Sequence, residues 1–99
     1  MITVLRSDGV TERAEEARVI LPGFEWADVC ATQAAGVQGE GWVVTDRRTG
    51  TRVCALHPLD PYHPTIDAAI AAAVSILTIY APTEQAYRAA GARLKALNP

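Results

Sequence analysis

Cys54, His57, Asp60 and His63 fall at every third position and form the most chemically suggestive array in this 99-residue chain. A thiolate, two imidazoles and a carboxylate are all ligands for zinc or another divalent cation. In a polyproline helix three residues make one turn, so His57, Asp60 and His63 would share an edge. The same geometry spaces them about 9 Å apart, at roughly 3.1 Å per residue. That is too far for one ion unless a turn folds the segment back. Pro58, Pro61 and Pro64 interleave with these residues, and a proline-rich connector is the simpler reading. A small metal protein or enzyme built on the four residues is one alternative function. The prolines also spell a PxxP pattern that aromatic grooves can bind, but a rigid lead-in to the following helix explains them better.

Arg47, Arg48 and Arg52 supply a second constellation, at the tip of an expected β-hairpin. A basic ribbon can enter a nucleic-acid groove, where arginine reads guanine edges. A specific site needs several phosphate contacts, whereas this chain has nine basic residues and a net charge of −2. Nucleic-acid binding is therefore the second alternative. A protein partner contacting Arg47, Arg48, Arg52 and the neighbouring Trp42 is favoured over it. If the tip is only a solvated surface, alanine at all three arginines leaves the fold intact.

Nucleophilic catalysis finds less support. Cys54 and His57 face apart on an extended strand, and Cys30 lies between Val29 and Ala31 like a small core residue. Gly36, Gly39 and Gly41 run in the reverse of the dinucleotide order and precede a strand, so they are not read as a phosphate loop. No cofactor is expected. Trp26 and Trp42 read as core or interface anchors.

The elements that must position these residues follow from the hydrophobic pattern. Apolar residues make up 49% of the chain, enough for one core in one domain. Charge is uneven, at −4 over residues 1–40 and +2 over the rest. The opening MITVLRSDG lacks the basic and apolar blocks of a signal peptide. A cytoplasmic protein with no membrane association, and with reduced cysteines, is expected. Ile2–Leu5 reads as a strand closed by Ser7-Asp8-Gly9. Residues 11–20, rich in Glu, Ala and Arg, read as a helix, and residues 24–35 as a short helix in which a strand competes. Trp42–Leu56 reads as a hairpin. Asp46 can bond back to turn amides there, and Gly50 can supply the positive φ of a bulged type I turn.

The stretch Ala68 to Thr83 carries no charge. Thr65 caps it and Asp67 complements its dipole, giving a helix with Ile66, Ile70, Ala73, Leu77 and Tyr80 on one stripe. Pro82 breaks it, and residues 83–97 form a second helix. The sum is an α+β fold: a small antiparallel sheet, made of the hairpin 42–56 plus the N-terminal strand, packed against two C-terminal helices. A helix apolar on nearly every side must be covered. Ala68, Ala72, Ile76 and Ile79 lie off the core stripe and are the expected interface of a homodimer. The leading functional expectation is a small non-enzymatic protein–protein interaction domain, a regulator or inhibitor of the kind found in bacteria, phages and mobile elements.

Overall fold

The computed structural model describes residues 1–5, 9–33, 41–53 and 63–98. The chain is α+β. Five strands, β1 (Ile2–Leu5), β2 (Thr11–Ala14), β3 (Glu16–Arg18), β4 (Val29–Gln33) and β5 (Trp42–Asp46), precede two helices, α1 (Ile66–Tyr80) and α2 (Glu84–Gly91). β1 and β2 form a two-stranded sheet, and β3–β4–β5 form a three-stranded one, all antiparallel.

The central sheet is covered on both sides, and strand parity shows how. Val29 and Ala31 of β4 share a face with Val44 of β5, while Cys30 and Thr32 share the other with Val43 and Thr45. The first face joins a core of Leu21, Phe24, Val29, Val44, Ala69, Ala73, Leu77 and Ala81. The second meets Ile2 and Val4 of β1, which cluster with Cys30. On that side the hydroxyls of Thr32 and Thr45 hydrogen-bond to each other at 2.9 Å, so both are buried with a partner. The result is three layers, with α1 on one side of β4–β5 and the β1–β2 ribbon on the other.

This arrangement corrects two expectations. Residues 11–20 form β2 and β3 rather than a helix. Helix propensity is a weak prior, and here two neighbouring strand edges override it: β2 pairs with β1, and β3 with β4. Ala17, Val19 and Leu21 alternate along this segment, a strand signal that the Glu and Ala content outweighed. Within residues 24–35, the strand β4 replaces the expected helix. Its Val29–Thr32 run is buried on both faces, as in a central strand, where alternation disappears. Before it, two turns close by Phe24 N–H donating to the Leu21 carbonyl at 2.8 Å and Ala27 N–H to Phe24 at 2.9 Å.

The N-terminal strand stands where it was expected but pairs with β2. It reaches the hairpin through one bond, Leu5 N–H to the Gly50 carbonyl at 2.9 Å. In the hairpin, Val53 N–H donates to the Val44 carbonyl and Thr45 bridges to Arg52. Residues 54–56 lie outside the described residues.

α1 begins as expected, with the Thr65 hydroxyl accepting from Ala68 N–H at 3.1 Å. Its rotation differs from the expected stripe. Ala69, Ala73 and Leu77 are its buried residues, while Tyr80 is exposed. Because every side of this helix is apolar, its period does not fix which side turns inward. Two alanines in the contact let the helix lie close on the sheet. α2 is shorter than expected, capped by Thr83 and ending at Gly91, with residues 92–98 continuing as turns. It leaves α1 at an angle of 92°. No single helix among the described residues is long and apolar enough to cross a membrane.

Leu77 fills the space between α1 and the sheet, so Leu77→Asp loses an apolar contact and buries an unpaired charge. The expected destabilisation is about 4 kcal/mol or more. Loss of the cooperative unfolding transition in thermal circular dichroism is the readout, and a wild-type melting curve would contradict the assignment of Leu77 to the core.

Candidate functional site

The hairpin turn Asp46–Gly50 is where the expected partner-binding arginines fall, and its local chemistry comes first. The Asp46 carbonyl accepts from Gly50 N–H at 2.9 Å, and one carboxylate oxygen of Asp46 accepts from the Thr49 amide and hydroxyl at 3.0 and 3.1 Å. Gly50 has φ +69°, as the turn was expected to require. A Cβ there would overlap the Thr3 carbonyl oxygen, so both the backbone angle and the approach of β1 demand glycine.

The two arginines of this turn reach different elements. The Arg47 guanidinium forks onto Glu16 of β3, with Nε to Oε2 at 2.8 Å and Nη2 to Oε1 at 3.5 Å. Its Nη1 reaches Asp28 Oδ1 at 3.4 Å, and its amide donates to the Asp28 carbonyl at 3.0 Å. The Arg47 hydrogen bond holds the Glu16 carboxyl below its ordinary pKa, and Glu16 in turn raises that of Arg47. The Met1 ammonium stands 3.8 Å from the same carboxylate. Arg48 points the other way. Its guanidinium donates to the Gly91 and Leu94 carbonyls at 2.5 and 3.3 Å, at the end of α2 and just beyond it, where the Gly91 carbonyl also accepts from Leu94 N–H at 3.0 Å. Its own carbonyl accepts from Leu97 and Asn98 N–H at 2.8 and 3.1 Å.

Asp46 is also tied to α2, because the Tyr87 hydroxyl donates to its second carboxylate oxygen. Burial, then the neighbouring Asp46, push the Tyr87 phenol above its ordinary pKa. Tyr87 packs edge-on against Trp26 with ring centroids 5.3 Å apart, and Trp26 packs likewise on Phe24 at 5.6 Å. Trp26, Asp28, Asp46, Arg48, Tyr87 and Arg88 thus line a cleft of about 420 Å³ between the turn and α2. The polar groups that face it already pair within the chain: Asp28 with Arg47, Asp46 with Tyr87 and Thr49, Arg48 with the α2 carbonyls, and Arg88 with Glu84 at 2.8 Å.

The other anticipated residues distribute as follows. Arg52 lies on the return side of the hairpin, bridged to Thr45. Trp42 is half-buried against the core, and its backbone exchanges two hydrogen bonds with His63 at 2.7 and 3.0 Å. Of the metal array, Cys54, His57 and Asp60 lie outside the described residues. His63 sits at the strand-like bridge that leads into α1. Among the described residues no three His, Cys, Asp or Glu side chains are grouped to hold a cation. Cys30 is fully buried, and burial pushes its thiol up to about 12, which suits a packing residue rather than a nucleophile.

On α1, Ala68, Ala72, Ser75 and Ile79 share one side of the helix, opposite the buried Ala73 and Leu77. Ile76 flanks this side and packs partly against the core. Ile79 is 71% exposed and Tyr80 54%. The roles of Tyr87 and Glu16 at the turn were not among the expectations drawn from the sequence. Neither residue carries a motif, and only the tertiary fold places them against the turn. Comparison with models of protein families, with curated proteins and with solved structures finds no match.

Two expectations follow from the turn. Arg48→Ala removes both guanidinium bonds to the end of α2. Because the side chain is exposed, the expected loss is about 1 kcal/mol, a fall in melting temperature of roughly 4–8 °C. The triple alanine variant should therefore not be neutral. Separately, Glu16 contributes stability that is present above the ordinary glutamate pKa and is lost as pH falls through its lowered folded value. Acid titration of urea stability should show that loss, and Glu16→Gln should flatten it. An unchanged profile would mean that the Arg47–Glu16 pair contributes nothing measurable.

Proposed function

We propose that this chain is a small non-enzymatic protein–protein interaction domain whose contact surface is the uncharged outer side of α1, with a second copy of the chain as its partner. The observation that carries this reading is that no charged residue interrupts the helix between Asp67 and Glu84, although Ala71, Ser75, Thr78, Ile79 and Tyr80 are exposed. A solvated helix normally puts charge on that side. The surface also complements itself. Small residues, Ala68 and Ala72, occupy its first half, and Ile76 and Ile79 its second. In an antiparallel pairing about a two-fold axis, the isoleucines of one copy face the alanines of the other over a helix about 22 Å long.

The engagement of the tip arginines favours this reading over nucleic-acid binding. Arg47 is held by two carboxylates and Arg48 by two carbonyls, which lowers the number of cations ready to displace counterions from phosphate. The described thiol, Cys30, is fully buried, which suits packing.

Light scattering over a wide concentration range tests the proposal. A mass rising to twice 10.6 kDa is expected. Ile79→Asp should return it to the monomer without changing the circular dichroism spectrum, and Ile79→Leu should preserve the dimer. A mass that stays monomeric at high micromolar concentration would overturn the self-association. Salt-sensitive retention of that monomer on DNA would instead favour the arginine reading.

A further inference from the structure

The C-terminal segment is attached to the body of the protein differently from α1. α2 has no buried residue, whereas α1 has three. What holds residues 84–98 is mainly polar and converges on the hairpin turn. The Tyr87 hydroxyl bonds to Asp46. The Gly91 and Leu94 carbonyls accept from the Arg48 guanidinium, and Leu97 and Asn98 N–H donate to the Arg48 carbonyl. One further clasp lies at the end. The Asn98 side-chain amide pairs with the Thr3 backbone as a strand would, accepting from N–H at 2.8 Å and donating to the carbonyl at 2.9 Å. Apolar attachment comes from Ala86 and Tyr87, partly buried against the core.

The join to α1 suits movement. Ala81 closes α1 in a non-helical conformation, Pro82 has no amide proton to tie down, and Thr83 caps α2. Beneath the segment lies a pocket of about 120 Å³, with Val53, Leu77 and Ala81 on the body side and Tyr87, Ala90 and Leu94 on the segment.

We infer that residues 84–98 form a strap that undocks from the hairpin turn as one unit about Ala81–Thr83, uncovering the apolar pocket over Leu77 and Ala81 while the two sheets and α1 stay folded. Cooperative release follows from the convergence of its bonds. Asp46 and Arg48 lie two residues apart in one turn, so losing one contact moves the backbone that carries the next. A segment with few buried apolar contacts opens at a lower free energy than the core. In the closed strap the half-buried Tyr87 lies against this pocket with Ala90 and Leu94 at its exposed rim, and opening widens its access to another apolar group. This inference is independent of the outer side of α1.

Hydrogen exchange of the intact protein, followed by mass spectrometry, tests it. Peptides covering 84–98 should share one protection factor, at least tenfold below that of β4 and β5. Tyr87→Phe removes one hydroxyl without changing the ring. It should speed exchange across all of 84–98 by about tenfold, a loss of about 1.4 kcal/mol, and leave β4 and β5 within twofold. Asp46→Asn should act in the same direction. The inference fails if 84–98 is protected as strongly as β4 and β5, or if its amides fray one by one without responding to Tyr87→Phe. It also fails if Tyr87→Phe lowers protection in β4 and β5 as much as in 84–98.

Discussion

The turn Asp46–Gly50 is the constraint on which the described structure depends. Four of its five residues, Asp46, Arg47, Arg48 and Gly50, touch β1, β3, the Asp28 loop, α2 and the C-terminal tail, while Thr49 bonds within the hairpin. The turn can do this because its own backbone is closed locally by Asp46 and by the left-handed Gly50. Its side chains and remaining backbone groups are then free to face outward. Each bond is worth only about 0.5–1.5 kcal/mol net. Their value lies in registry, since they fix elements that share little buried surface with one another.

The layers on either side of the central sheet rest on different physics. Toward α1, alanines and Leu77 bring helix and sheet into close contact, and burial dominates. Toward β1, the contact is thinner: Ile2, Val4 and Cys30, with a threonine pair at 2.9 Å satisfying the polar groups that burial strands there. A protonated thiol at Cys30 is consistent with that layer, because it fills volume without demanding a strong partner. The Arg47–Glu16 fork closes the rim beside it.

Surface chemistry follows from the same division. Residues that look reactive in isolation are occupied in holding the turn to its neighbours. The outer side of α1 is exposed and without charge, and Ile79 on it is 71% exposed, as is Ile20 elsewhere on the surface. Around the turn polar groups serve the fold, while the apolar Ile79 and Tyr80 face outward from α1.

The sequence by itself determined the elements whose signals are local. These include the first strand, the start of the hairpin with its Asp46 and Gly50, the Thr65 cap and the extent of α1. Each depends on a few adjacent residues and a fixed backbone geometry. Tertiary structure alone decided the rest. Residues 11–18 carry helix-forming side chains yet extend, because two strand edges need pairing partners. Val29–Thr32 lost its alternation because it is buried on both faces. The rotation of α1 was undetermined, because an all-apolar helix has no preferred inward side until a sheet supplies one. Only folding across more than thirty residues set the roles of Arg47, Arg48 and Tyr87. A charged hairpin tip looks solvated in sequence, and Tyr87 falls on the apolar stripe of residues 83–97 with no sign of a polar partner; both hold the turn in place once Glu16, Gly91 and Asp46 arrive beside them.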